Sequence, residues 1–204
     1  GKYNSLHDAY KSILEAFIHA SAKNSAKIKL RWVDTEKLET NKNMKDEFLN
    51  IHGILIPGGF GNRGIEGKIL SSKYARENKI PFFGICLGMQ CAVIDYARSK
   101  CDMKNANSSE FNKKSPYPVI DIMLEQKDIT HKGASMRLGT YRCNINKKTK
   151  ALQAYQEEQI NERHRHRYEF NNKYINEMLD KGLIISGINK KLNLVEIIEI
   201  KDHP

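Results

Sequence analysis

The 204-residue sequence predicts an α/β domain built on a doubly wound, mostly parallel sheet. Three observations carry this. Short apolar runs alternate with helical periodicities through the first half of the chain. Two consecutive runs end in glycine-rich turns, as strand-to-helix connections in such sheets do. The second half is dominated by extended segments, which adds antiparallel strands to the same unit. At about 150 residues per domain, one domain is the expectation, and neither an internal repeat nor a long linker divides it.

In chain order, Tyr10, Ile13, Leu14, Phe17 and Ile18 recur at helical spacing behind a possible Ser5 cap, which predicts an amphipathic opening helix. Residues 28–33 read as a strand, followed by a polar stretch to Asn50. A more apolar strand over 51–57 runs into Gly58-Gly59-Phe60-Gly61-Asn62-Arg63-Gly64, and a helix is predicted over 65–78. The wholly apolar run 80–85 suits a central parallel strand, and 88–98 returns to helix. Residues 105–118 read as a polar loop. Segments 119–124, 136–145 and 159–170 read as extended, with a second loop over 128–133. Residues 173–181 read as a helix ended by Gly182, before a hairpin over 183–188 and 194–200.

Hydrophobic residues make up 40% of the chain, enough for a core and too many for a disordered polycation. No apolar run approaches a membrane span of about 18 residues, and the first residues lack a signal-peptide core, so membrane, secreted and fibrous classes are excluded. The formal charge of +10 leaves nucleic-acid binding open. Its lysines are scattered, however, and abundant asparagine accompanies them, which favours a solvated surface over a phosphate footprint. Cys86, Cys91, Cys101 and Cys143 show no C-x-x-C spacing, so neither zinc nor a disulfide framework is expected. In a reducing, cytoplasmic compartment each is then a core residue or a nucleophile.

Gly59-Phe60-Gly61-Asn62-Arg63-Gly64 formally matches a dinucleotide fingerprint between a strand and a helix. That fingerprint needs an acid at the end of the next strand, where this chain has Cys86, and Pro57 ahead of it is atypical. Gly84-Ile85-Cys86-Leu87-Gly88 is instead the cysteine counterpart of the nucleophile elbow. A tight strand-to-helix turn would expose the sulfur at the sheet's C-terminal edge, and the helix N-terminus favours a thiolate there. It also leaves the Leu87 N–H available to an oxyanion. The neighbouring glycine turn would bring a second N–H, from Gly59. Arg163-His164-Arg165-His166-Arg167 is the one dense basic cluster, and read alone it suggests phosphate or RNA binding. Strand alternation puts His164 and His166 on one face and the three arginines on the other.

Residues 53–67 and 83–90 closely resemble the glutaminase domain of the CTP synthase family, a class I, triad-type glutamine amidotransferase. The likeness continues through Asn105-Ala106-Asn107-Ser108-Ser109-Glu110-Phe111, Met136-Arg137-Leu138-Gly139, 162–169 and 195–199, and it covers essentially the whole chain in order. It implies a flavodoxin-like fold: a mostly parallel central sheet with helices on both faces and extra antiparallel strands in the C-terminal half. It implies that Cys86 attacks the carboxamide of L-glutamine, that Gly59 and Leu87 N–H groups hold the oxyanion, and that water hydrolyses the thioester.

By the same resemblance Gly59, Leu87, Gly88, Met89 and Gln90 hold the substrate, Glu110 meets its α-ammonium, and Arg167, or alternatively Arg165, meets its carboxylate. Arg63-Gly64-Ile65-Glu66 resembles a lid linked to activation by GTP. No cofactor is implied for this domain. ATP, UTP, magnesium and GTP are implied for a full-length enzyme, with a synthase domain on the same polypeptide, a homotetramer, and neither nucleic acid nor membrane as partner. The family's catalytic histidine and glutamate lie in a His-Pro-Glu motif, which the 204 residues do not contain. Asp202-His203-Pro204 is read as an earlier element and not as the base. His164 and His166 are set aside because the resemblance puts them in the substrate segment. The expectation is a glutaminase domain ending before its base, nearly inactive alone. The alternatives are a basic nucleic-acid-binding module or an amidotransferase serving another synthase.

Overall fold

A computed structural model describes residues 1–4, 6–40, 44–122 and 136–204. The possible Ser5 cap, the loop over 128–133 and the end of the 119–124 strand lie outside the described residues.

The first strands are β1 (Ile54–Ile56) and β2 (Phe82–Gly84), which pair in parallel with Ile56 opposite Gly84. Between them runs α4 (Ile65–Glu77), and β2 leads through Cys86 into α5 (Leu87–Lys100). This is the predicted strand–helix alternation, and both glycine-rich turns fall at the same end of the β1/β2 pair. Preceding them are α1 (Lys11–Lys23), α2 (Thr35–Thr40) and α3 (Met44–Glu47). The opening helix buries none of its residues, so its apolar stripe is not a core face.

Residues 28–33 do not form a strand. They are extended, but Ile28, Leu30 and Trp32 stay about 40% exposed, and strand status requires a paired neighbour. Two bonds align the start of the chain with their far end: Gly1 N to Val33 O at 2.9 Å and Thr35 N to Gly1 O at 3.1 Å. The polar stretch that follows carries α2 and α3, and buries Leu38 of α2 and Phe48, the residue after α3.

The second half forms two further sheets. β3 (Ala106–Ser108) pairs in parallel with β4 (Tyr117–Ile122), and β4 pairs antiparallel with β7 (Tyr168–Phe170). The four-stranded antiparallel sheet has the order β6-β5-β8-β9, from β5 (Arg137–Ile145), β6 (Gln159–His166), β8 (Leu183–Asn189) and β9 (Leu194–Ile200). The predicted 159–170 segment is thus two strands in two sheets, interrupted at Arg167. β3 arises within the expected polar loop. A short helix α6 (Lys150–Tyr155), capped by Thr149 Oγ1 accepting from Leu152 N–H, was not expected either. The last helix is α7 (Ile175–Asp180), and Gly182 follows it with φ +99°, as the sequence implied.

The core gathers around α5. Leu87, Val93, Ile94 and Ala97 pack with Ile65 and Ile69 of α4, Val119 and Ile120 of β4, and Phe170, Met178 and Val195. α4 and α5 are also joined by a buried bidentate pair, Arg76 with Asp95, at 2.8 and 3.1 Å. The packing fixes the N-terminus of α5, and with it Cys86.

Candidate active site

Cys86 is the residue before α5 and has φ 54° and ψ −108°, a backbone conformation that side chains rarely adopt. Its surroundings dictate this. Ile85 N–H bonds to Ile56 O at 2.9 Å, finishing the β1/β2 ladder, while Gly88 N–H turns back to Ile85 O at 2.8 Å. A Cβ on Gly88 would lie 2.1 Å from Ile56 O, and one on Gly84 would lie 2.6 Å from the Gly88 carbonyl carbon. The chain can therefore turn from strand to helix this tightly only with glycines on both sides of the cysteine. Leu87 is the first helical residue, so its N–H has no acceptor one turn back.

Cys86 is half-buried, whereas Cys91, Cys101 and Cys143 are buried. Burial pushes those three thiols up, to about 12, 11 and 12 respectively. They are core residues. The accessible sulfur is the one on the elbow.

A pocket of about 240 Å³ opens at Cys86, lined also by Gly59, Phe60, Gln90, Glu110, Met136, Arg165, His166, Arg167 and Tyr168. The structure thus brings together Cys86, Gly59, Gln90, Glu110 and Arg167 of the expected site. Leu87 has a buried side chain and can contribute only its backbone. Gly88 and Met89 do not line the pocket: Gly88 presses on β1, and Met89 packs against the core. Gln90 is fixed by its Nε2 donating to Tyr168 O at 2.8 Å.

The pocket is electrically polar. Burial pushes the Glu110 carboxyl up, opposed by a bond from Gly61 N–H at 3.4 Å and by the charges of Arg167 and Lys2. Arg167 enters because it occupies the break between β6 and β7, where strand alternation no longer applies. Upstream the expected alternation holds: His164 and His166 are half-buried, Arg163 and Arg165 exposed. Arg165 lies over the Phe60 ring, 5.5 Å from its centroid, and closes the pocket rim.

Sequence reasoning missed the group behind Cys86. His166 lines the pocket with Cys86, and its Nδ1 lies 3.5 Å from Glu169 Oε2. Burial pulls this imidazole down, but Cys86 and Glu169 outweigh it and push it up to about 10. Glu169 Oε1 accepts from Arg137 Nε at 3.0 Å, and Arg137 forks onto Glu196 at 2.6 and 3.0 Å. Arg137 Nη2 also lies 3.0 Å from His164 Nδ1. Because an arginine can only donate, that nitrogen accepts. Burial lowers His164, and Arg137 and His166 add to it. The residues come from β5, β6, β7 and β9, so no local pattern announces them. The only signal was a run of like residue types, His-Arg-His-Arg-Tyr-Glu.

His203 stands elsewhere, its Nε2 3.2 Å from Ala75 O near the C-terminal end of α4. The segment likened to a lid is pinned at both ends. Arg63 pairs with Glu36 at 3.1 Å, and Glu66 holds Arg98 at 2.7 and 3.0 Å.

Comparison with known proteins agrees with this geometry. The family model "Glutamine amidotransferase class-I" matches residues 5–204. A CTP synthase of Caldanaerobacter subterraneus is 56% identical over the whole chain, and one of Clostridium kluyveri 55%. The chain spans 38% of the length of each. Among solved structures, the glutaminase domain of Trypanosoma brucei CTPS with bound acivicin superposes with a TM-score of 0.86 at 37% identity, over 98% of this chain and 76% of that one. The chain therefore belongs to the class-I glutamine amidotransferases, and within them to the glutaminase domains of CTP synthases.

Proposed function

We propose that this chain hydrolyses L-glutamine through Cys86 and releases ammonia for the conversion of UTP to CTP. The observation that carries the reading is the pocket itself. It presents one strained, accessible cysteine between a half-buried carboxylate, Glu110, and a guanidinium, Arg167. A free amino acid needs an anion for its ammonium and a cation for its carboxylate, with its side chain aimed at the nucleophile.

The Cys86 thiolate attacks the carboxamide carbon of glutamine, forming a C–S bond. The displaced electron pair rests on oxygen, held by the Gly59 and Leu87 N–H groups, each such donor being worth roughly 10²–10³ in rate. The C–N bond then breaks, the nitrogen takes a proton from an imidazolium, and ammonia leaves. Water returns that proton to the imidazole as its oxygen attacks the thioester, which yields glutamate and restores the thiolate. Within these 204 residues the imidazole at Cys86 is His166, steadied by Glu169. The resemblance assigns the role to a histidine of His-Pro-Glu, a tripeptide absent from these residues. In a polypeptide with a synthase domain, the ammonia passes to UTP activated by ATP and magnesium, with GTP as effector in a cytoplasmic tetramer.

The test is labelling by a diazo-ketone analogue of glutamine, or by acivicin, followed by peptide mass spectrometry. Cys86 should carry the label and glutamine should protect it. Equal modification of Cys91 or Cys143 would refute the reading.

A further inference from the structure

One charged group near the site has no role in the chemistry above. Lys68, the fourth residue of α4, is 0% exposed, and among the described residues its Nζ has no hydrogen-bond partner. A buried ammonium is ordinarily matched by a carboxylate, because desolvating it is costly. The titratable groups that face Lys68 are different: the thiols of Cys91 and Cys86, the Lys2 ammonium and the Gly1 amine. Burial lowers the Lys68 pKa and Lys2 adds to it, while the two cysteines act the other way.

The glycine turn separates this cation from the nucleophile. A Cβ on Gly59 would lie 3.8 Å from Lys68 Nζ, and one on Gly58 would lie 3.3 Å from Cys86 Cβ. Lys2 also flanks the turn, but its ammonium is occupied by the carbonyls of Phe60 and Gly61. Cys91 does not neutralise Lys68, since burial keeps that thiol protonated to about 12. Negative charge near Lys68 can therefore arise at Cys86 and at an oxyanion beside Gly59.

We infer that Lys68 is a positioning residue whose ammonium, buried behind the Gly58–Gly59 turn, favours negative charge on Cys86 and on the oxyanion. This rests on the reading of Cys86 as nucleophile. A cation that faces a thiol across protein and not across water is strong enough to change its reactivity about tenfold.

The test is the rate of Cys86 alkylation by iodoacetamide as a function of pH, read by peptide mass spectrometry. The sulfur displaces iodide and the thiol proton goes to solvent, so no turnover is needed. Lys68→Met should slow alkylation at neutral pH about tenfold and move the rate profile to higher pH, with its plateau unchanged. Lys68→Arg should restore most of the loss. Should Lys68→Met fail to fold, Lys68→Gln carries the same expectation. Superimposable profiles for the neutral variant and the unmutated chain, with Cys86 still the one modified cysteine, would overturn the inference alone. Alkylation spread evenly over Cys86, Cys91 and Cys143 in the unmutated chain would instead remove the nucleophile reading, and this inference with it.

Discussion

Glu169 stands between Arg137 and His166. One carboxylate oxygen accepts from Arg137 Nε at 3.0 Å, and the other lies 3.5 Å from His166 Nδ1. The imidazole that shares the pocket with Cys86 is thereby tied to a buried arginine. Its pKa of about 10 exceeds the ordinary value of about 6.5, so across that window the folded chain holds a proton that the unfolded chain releases. The stability this supplies is complete below about pH 6.5 and is lost as pH rises through about 10. Glu169→Gln should lower the His166 titration midpoint, read from its ring protons by NMR, and flatten the fall in stability over that range. It should also cost about 3 kcal/mol at neutral pH in urea unfolding, because Arg137 loses a buried partner. An unchanged His166 midpoint would sink the claim.

The elbow makes a sharper stability prediction. Gly88→Ala would drive a methyl group to within 2.1 Å of the Ile56 carbonyl oxygen, between a strand and a helix that cannot separate without opening the core. It should destabilise by about 3 kcal/mol and reduce labelling of Cys86 together with the melting temperature. Gly139 offers a control. Its φ is +101° and nothing lies within 4 Å of the added carbon, so Gly139→Ala costs only the backbone strain, about 1 kcal/mol. Equal losses at the two positions would contradict this account.

These contrasts show which features the sequence could express. The elbow and the turn at Gly58–Gly64 were legible because their backbones admit few residues besides glycine, and both fall after apolar runs. Glu110 and Arg167 were legible only through the family resemblance, since each looks like a solvated charge by itself. The Arg137, Glu169 and Glu196 cluster was not legible, as it joins three strands far apart in sequence. Residues 28–33 alternate as a strand should, but a strand also needs an edge to pair with, which alternation cannot specify. The β3 residues Ala-Asn-Ser have little strand propensity and are recruited by pairing with β4. Thr149 followed by Lys-Ala-Leu was a readable cap for α6, obscured by the lysines around it.

Glu110 should trade stability for binding. Burial raises its carboxyl pKa, so folding is penalised once pH climbs past the usual carboxylate range and the group must ionise in place. The favourable contribution is present at acid pH and lost as pH rises through the raised value. Glu110→Gln should therefore raise the melting temperature at neutral pH and leave it little changed in acid. On the proposed reading of the pocket the same change removes the anion for the substrate ammonium, and the glutamine concentration needed to protect Cys86 from labelling should rise at least tenfold. A variant that protects normally would remove Glu110 from the binding site.

Arg167 and Arg165 can be separated by the same protection experiment. Both line the pocket, but they are held differently. Arg165 belongs to β6, where alternation points it outward, and its guanidinium lies on the Phe60 ring at the rim. Arg167 lies in the break between β6 and β7, and its charge reaches Glu110 on the pocket wall. A zwitterion whose ammonium meets Glu110 places its carboxylate, only a few ångströms away, within reach of Arg167. Arg167→Lys keeps the charge but loses the planar fork that grips a carboxylate at two points, so protection by glutamine should still weaken severalfold. Arg167→Ala should weaken it more, by one to two orders of magnitude. Arg165→Ala should loosen the Phe60 contact and change protection less than threefold, since an exposed cation–π contact contributes only about 0.5–1 kcal/mol. The reverse ranking would assign the carboxylate to Arg165 and make Arg167 the partner of Glu110 alone.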